Sequence, residues 1–341
     1  MANPEPSHTV VTVTGASGFI ALHCVRELLE QGYRVRGTVR DLASEAPLRQ
    51  ALLPLDVGDR LSFVAAELLA DAGWAEAMRG ARYVLHVASP VPNAPPKDEQ
   101  ELIRPAREGA LRVLRAARDA GVSRVVLTSS VAAVLSGRER DRGHVFDEKD
   151  WSDLDRPMGA YDRSKTLAEK AAWDFVRGPA AHTLELVALN PVYVLGPSLR
   201  GTDNTSNEIV GKLLRREVPG VPRVQFGLVD VRDVARAHVL AMTTKNAAGE
   251  RFILGSDTAW MKQIANVLAE AGYEVPTREL PNFLVRLVAL FDPTVRLIVD
   301  VLGMPFLTSS EKAKNVLGWS GRSMKEMVLD TARGMAAKKR R

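Results

Sequence analysis

Tyr161 and Lys165 stand four residues apart in a stretch that reads as helix, so their side chains share one face. A free tyrosine titrates at about 10 and is a poor acid near neutrality. A nearby ammonium favours the phenolate and lowers that value. A tyrosine so placed can give a proton to a carbonyl oxygen during reduction, or take one from an alcohol during oxidation. Ser130 closes an apolar strand at Ser123 to Thr128, and its hydroxyl could orient the same oxygen. Lys165 could also hold the ribose hydroxyls of a nicotinamide cofactor. Chance supplies a Tyr-x-x-x-Lys pair fairly often. It seldom supplies one a single strand–helix unit after a strand-ending serine pair.

Such chemistry needs a hydride carrier, and the N-terminal stretch Val10-Val11-Thr12-Val13-Thr14-Gly15-Ala16-Ser17-Gly18-Phe19-Ile20-Ala21 is shaped to hold one. Its β-branched start suits a central strand. Gly15 lets the chain turn, Gly18 lets a pyrophosphate approach the backbone, and small Ala21 lets the helix pack closely on the strand. A strand, a glycine turn and a helix together aim backbone N–H groups at one anion. The spacing, Gly-x-x-Gly-x-x-Ala, is weak evidence alone. The second strand, Tyr33 to Val39, strengthens it. That strand ends at Arg40 with no acid before it, the arrangement that takes the 2′-phosphate of NADP rather than the free hydroxyl of NAD.

The elements that must position these groups alternate. Strands are predicted at Leu61 to Ala65, Tyr83 to Ala88, Ser123 to Thr128 and Thr183 to Leu189. Helices are predicted from about Asp71, at Asp98 to Ala120, and from Gly159 onward. This alternation implies an α/β fold of Rossmann type, a doubly wound parallel sheet with helices on both faces. Beyond Ser198 the pattern loosens. Helices are expected at Ser206 to Arg216, Val231 to Thr243, Ala259 to Ala271, Asn282 to Leu302 and Ser323 to Met335, with short strands at Arg223 to Val229 and Arg251 to Leu254. The division expected is a cofactor-binding domain at 1–190 and a smaller, mainly helical substrate lobe at 191–341, with the strand and helix near 223–245 returning to the main domain. Apolar Pro281 to Phe306 is expected to pack on its own lobe, and could also wall an apolar substrate pocket.

Composition narrows the function classes. The chain has 341 residues, 46% hydrophobic, enough for a large core. Its single cysteine, Cys24, excludes a disulfide framework and a cysteine-cluster metal site, and suits a reducing cytoplasm. His86 lies in an apolar strand without metal-spaced partners and reads as a core histidine. No metal is called for. The net charge of +5 is spread over scattered arginines, apart from the last four residues, so no nucleic-acid partner is implied. The most apolar run, Phe283 to Gly303, is interrupted by charges and Pro293, so no membrane span is implied.

Taken together, VTGASGFIA, VRGTVRD, VLHVASPV, RVVLTSS, YDRSKTLAEKAAW, LNPVYVLGP, VDVRDVARAHV and EKAKNVLGW resemble the extended short-chain dehydrogenases/reductases. Within that family the chain looks most like the dihydroflavonol-4-reductase-like NADPH-dependent aldehyde and ketone (carbonyl) reductases. The resemblance covers nearly the whole chain. It implies catalytic Ser130, Tyr161 and Lys165. It implies NADPH or NADP+ contacts at Gly15, Ser17, Gly18, Phe19, Ile20 and Arg40, at Glu67 and Leu68 beside the adenine, and at Val87, Ala88 and Ser89 along the cofactor. Tyr161, Lys165, Pro191, Val192 and Ser206 complete the cofactor set. Substrate-pocket candidates are Val91, Val131, Leu135 and Phe226.

Two departures bear on substrate. Plant dihydroflavonol reductases commonly carry Asn or Asp five residues after the catalytic serine; Leu135 stands there, which argues against a flavonoid. Cinnamoyl-CoA reductases carry an Asn-Trp-Tyr-Cys-Tyr-Gly run before the catalytic lysine; Met158-Gly159-Ala160-Tyr161 does not match it. The expected reaction is reduction of a small-molecule carbonyl by a monomer or homodimer, with the helices at Asp98 to Ala120 and Gly159 to Arg177 available for a dimer contact. The alternatives are an NAD-dependent nucleotide-sugar epimerase or dehydratase, which Arg40 opposes, and a nonenzymatic NADP-binding regulator, which retention of Tyr161 and Lys165 opposes.

Overall fold

The computed structural model describes residues 5–90, 96–138, 143–179, 181, 183–201, 207–296 and 298–338. In chain order the first half runs β1 (Val10–Val13), α1 (Phe19–Glu30), β2 (Arg34–Val39), α2 (Glu45–Ala51), β3 (Leu61–Ala65), α3 (Trp74–Met78), β4 (Tyr83–His86), α4 (Gln100–Asp119), β5 (Arg124–Thr128), α5 (Ala132–Leu135), α6 (Ala160–Arg177) and β6 (Glu185–Pro191). The second half runs β7 (Tyr193–Leu195), α7 (Glu208–Leu214), β8 (Gln225–Asp230), α8 (Val231–Thr243), β9 (Arg251–Leu254), β10 (Asp257–Trp260), α9 (Met261–Glu270), α10 (Asn282–Val288), α11 (Pro293–Arg296), α12 (Glu311–Leu317) and α13 (Met324–Lys338).

Seven strands form one parallel sheet in the order β3-β2-β1-β4-β5-β6-β9. Both faces are covered, so its central strands are apolar throughout rather than alternating. Period two still sorts the side chains. In β5, Val126 joins the core with α1 and α8, whereas Val125 and Leu127 join the core with α3, α4 and α6. In β6, Val187 and Leu189 face the first layer and Leu186 and Ala188 the second. At roughly 2 kcal/mol per fully buried aliphatic side chain, these two layers supply the main driving force for the sheet.

The second half departs from the sequence expectation in three ways. The segment after residue 190 contains a three-stranded sheet, β10-β8-β7, and is not purely helical between its short strands. Within 223–245 the strand β8 stays in this small sheet while α8 returns to pack on α1; the following strand, β9, completes the large sheet beyond β6. The continuous helix expected over Asn282 to Leu302 is broken into α10, α11 and a 3₁₀ turn at Val299–Val301. Pro293 accounts for the break, because proline disfavours helical geometry in the residue before it and sits well only in a helix's first turn. The broken segment buries Val285, Ala289 and Leu302 but leaves Phe283, Leu287, Val288, Leu290 and Phe291 exposed, so it packs on its own lobe along one narrow stripe. A separate core of Leu195, Val210, Leu213, Leu228, Ile264, Leu268 and Val328 binds the small sheet to α7, α9 and α13.

Candidate active site

The C-terminal ends of β1, β4, β5 and β6 converge, and each brings polar groups out of an otherwise apolar sheet. At β1 the turn is tight. Gly15 has φ +64°, a left-handed conformation that favours glycine, and a Cβ there would meet the Cβ of Ala88 at 3.0 Å. Its N–H donates to Thr38 Oγ1 at 3.0 Å, which ties the turn to the end of β2. Gly18 caps α1 in extended conformation and is exposed, so the first N–H groups of that helix open to solvent beside the turn. Ser17, Phe19 and Ile20 flank it, half-buried, and Arg40 emerges exposed from the adjacent β2. These features form an anion cradle with a basic rim, and they fit a dinucleotide.

Thr14 joins this cradle to β4. Its Oγ1 accepts from Val87 N and Ala88 N, each at 3.0 Å, and its own proton then points to His86 Nδ1 at 2.8 Å. His86 therefore carries its proton on Nε2. Burial pushes it down to about 3, with the Lys165 ammonium adding to the effect, so it is neutral. The core role expected for His86 agrees with its burial. Val87, Ala88 and Ser89 follow as a half-buried strip. Glu67 is exposed and Leu68 half-buried at the end of β3.

The three expected catalytic groups meet. Ser130 stands beside the Tyr161 phenol and favours its ionised form, and Ser130 Oγ accepts from Ala132 N at 3.1 Å. Lys165 Nζ lies 5.9 Å from the Tyr161 ring centre and donates to the Thr128 carbonyl at 3.3 Å. The expected depression of Tyr161 by Lys165 is not what the structure gives. Burial pushes the phenol above its ordinary value, and Ser130 opposes that only in part. The phenol is therefore protonated. Lys165 is itself drawn down to about 8 by burial, with Glu169 opposing.

Sequence reasoning missed Glu169. It is fully buried, and its carboxylate collects Ser129 Oγ at 2.5 Å, Asn190 Nδ2 at 2.8 Å, Trp173 Nε1 at 3.1 Å and Arg251 Nε at 2.6 Å. A glutamate on a helix ordinarily reads as surface. The available signal was its position four residues after Lys165, on the face that also carries Ala172. Arg200 was also missed: from the loop after β7 its Nη1 donates to the Ser17 carbonyl at 3.2 Å, over the glycine turn.

The remaining candidates divide. Val131 N donates to the Pro191 carbonyl at 3.0 Å, which brings Val131, Pro191 and Val192 to one strand end beside Ser130. Leu135 lies half-buried on α5. Phe226 sits on β8 against Tyr193, with ring centres 5.6 Å apart, on the small sheet. Val91 and Ser206 lie outside the described residues.

Comparison with known proteins gives this site its context. Residues 11–255 match the NAD dependent epimerase/dehydratase family. Cinnamoyl-CoA reductase 1 of Arabidopsis thaliana is 39% identical over 280 residues, covering 80% of this chain and 78% of that protein. Tetraketide alpha-pyrone reductase 1, also of Arabidopsis thaliana, is 34% identical over 88% of this chain and 92% of its own length. Among solved structures, the yeast methylglyoxal/isovaleraldehyde reductase complexed with NADPH superposes with a TM-score of 0.80 at 30% identity, over 98% of this chain and 100% of that one. Vestitone reductase from alfalfa gives 0.75 at 27% identity, over 97% and 99%.

Proposed function

Because the chain belongs to the NAD dependent epimerase/dehydratase family, the extended short-chain dehydrogenases/reductases, we propose that it reduces an aldehyde or ketone to the alcohol with NADPH. One observation carries the reading. Ser130, Tyr161 and Lys165 meet beside the glycine turn, at the strand ends where open parallel sheets bind ligands. Gly15, Ser17, Gly18, Phe19 and Ile20 would hold the pyrophosphate, Arg40 the 2′-phosphate, and Glu67 and Leu68 the adenine. Val87, Ala88, Ser89, Pro191 and Val192 would line the rest, with Lys165 on the nicotinamide ribose. Bound NADPH supplies a hydride for the carbonyl carbon.

The chain's own groups supply the rest. Tyr161 is a neutral phenol in the folded protein, which is the form a general acid needs, and it gives its proton to the carbonyl oxygen. Ser130 orients that oxygen and stabilises the charge that builds on it. The Lys165 cation, one turn away, offsets the phenolate left behind. Val131, Leu135 and Phe226 offer apolar walls, so the substrate class is a largely apolar aldehyde or ketone. The mismatch at Met158 to Tyr161 favours a free carbonyl over an acyl-CoA thioester. The compartment assigned is the cytoplasm, whose reducing conditions suit a chain with one cysteine; Cys24 is buried. Among the described residues no helix is long and apolar enough to cross a membrane.

The test is NADPH absorbance with a panel of aryl ketones, α-keto esters, aldehydes and cinnamoyl-CoA, with NADH run in parallel. Carbonyl-dependent loss of NADPH is expected. Tyr161→Phe should cut kcat by about 100-fold or more while NADPH binding survives. Equal turnover in that variant would sink the mechanism.

A further inference from the structure

Glu169 lies one turn beyond Lys165 on α6, with no surface exposed. A buried carboxylate is costly unless it is paired and hydrogen-bonded. Here Oε1 takes Arg251 Nε and Trp173 Nε1, and Oε2 takes Ser129 Oγ and Asn190 Nδ2. Asn190 Nδ2 donates also to the Ser130 carbonyl at 3.0 Å. Both its partners are acceptors, which fixes which way the amide faces. Arg251 is held in turn. Its Nη1 donates to the carbonyls of Glu148 at 2.9 Å and Asp150 at 2.7 Å, and its guanidinium carbon lies 3.8 Å from the Trp151 ring centre. The carboxylate therefore joins the helix that carries Tyr161 and Lys165 to the strand end that carries Ser130, to β6 through Asn190, and, through Arg251, to β9 and the segment that leads into α6.

On the reductase reading above, we propose that Glu169 is a positioning residue of the catalytic centre: through Ser129 and Asn190 it fixes the strand end that presents Ser130, and it holds a compensating negative charge one turn from Lys165. Among the titratable groups around Lys165, Glu169 is the one whose charge acts on it appreciably. Tyr161 on α6 is a protonated phenol and His86 from β4 is neutral. Arg251 from β9 is a cation. Asp162 on α6 accepts from Ser136 Oγ at 3.0 Å. Before α6, Asp150 meets Arg138 and His144, and Glu148 accepts from Ile253 N. At the N-cap of α4, which packs against α6, Glu99 pairs with Arg163, and on α4 itself Glu108 pairs with Arg104.

The experiment compares wild type, Glu169→Gln, Glu169→Asp, Arg251→Met and the double variant Glu169→Gln/Arg251→Met. NADPH binding is followed by fluorescence from neutral to alkaline pH, with thermal melting, and with kcat and KM on the best carbonyl substrate. In wild type, binding should weaken as pH rises through about 8, where Lys165 loses its proton. In Glu169→Gln that midpoint should fall by about one pH unit or more, because an opposite charge has been removed. At neutral pH kcat should fall about 10-fold with KM little changed, because Ser130 and Lys165 act on the reacting oxygen and the phenol. Glu169→Asp keeps the charge and should keep the midpoint. If Glu169→Gln does not fold, having stranded Arg251, the midpoint of the double variant is read against that of Arg251→Met alone, so that loss of the cation is common to both. A lowered melting temperature with an unmoved midpoint, in Glu169→Gln or, where that does not fold, in the double variant against Arg251→Met, overturns the proposal. A wild type that binds NADPH but turns over no carbonyl overturns the reductase reading instead, and the binding midpoint still judges Glu169.

Discussion

Arg40 leaves the end of β2 exposed. Its neighbours Arg34 and Arg49 pair with Asp59 and Glu45, whereas Arg40 meets no carboxylate among the described residues. A free guanidinium fork beside the dinucleotide cradle is available to a phosphate. Hydrogen bonds to charged groups contribute about 1.5–3 kcal/mol each, so Arg40→Ala should raise the KM for NADPH by roughly 10- to 100-fold. The KM for NADH should stay where it is; a loss shared equally by both cofactors in steady-state kinetics would remove Arg40 from the 2′-phosphate. Arg40, Tyr161 and Lys165 were legible because each stands at a fixed offset from a strand or helix end. Glu169 and Arg251 were not, because their meaning comes from each other across 82 residues of chain. The protonation of Tyr161 was likewise hidden: sequence shows the ammonium that would lower it but not the burial that raises it.

At the scale of elements, three buried histidines tie neighbouring elements together. His23 on α1 meets the Pro197 carbonyl at 2.9 Å, His86 at the end of β4 meets Thr14, and His238 on α8 meets Thr128 at 2.7 Å. Burial draws them down to about 4, 3 and 4, from 6.5. Because each folded value lies below the unfolded one, the unfolded chain binds more protons through this range, and stability falls with falling pH. The contribution is complete above pH 6.5 and is lost as pH drops through the folded values, roughly 3 kcal/mol per histidine by pH 4. Melting temperature measured against pH should drop steeply below about 6, and His238→Gln should flatten that slope; an unchanged slope would exclude His238 as a contributor. The strands of the large sheet were readable from apolar runs alone. β7 gives no separate signal, because only Val192 separates it from β6. β10 was missed because Asp257 and Thr258 are exposed and give no alternating signal.

At the scale of the molecule, the second lobe carries an unusual surface. Leu290 and Phe291 are 66% and 83% exposed, with Phe283, Leu287 and Val288 beside them. Contiguous apolar surface of this kind promotes association. Sedimentation should show self-association that grows with concentration, and Leu290→Asp with Phe291→Asp should reduce it while turnover per chain is kept. A wild type that stays monomeric at every concentration would refute this. The sequence showed that the run was apolar but not which side would be left bare, because that depends on where Pro293 breaks the helix. The return of β9 to the large sheet has one more consequence, for the order of synthesis. A ribosome delivers α6 well before β9, so the nascent chain holds Glu169 without its countercharge until Arg251 has emerged. No part of the polypeptide that stops short of β9 therefore contains this buried pair complete.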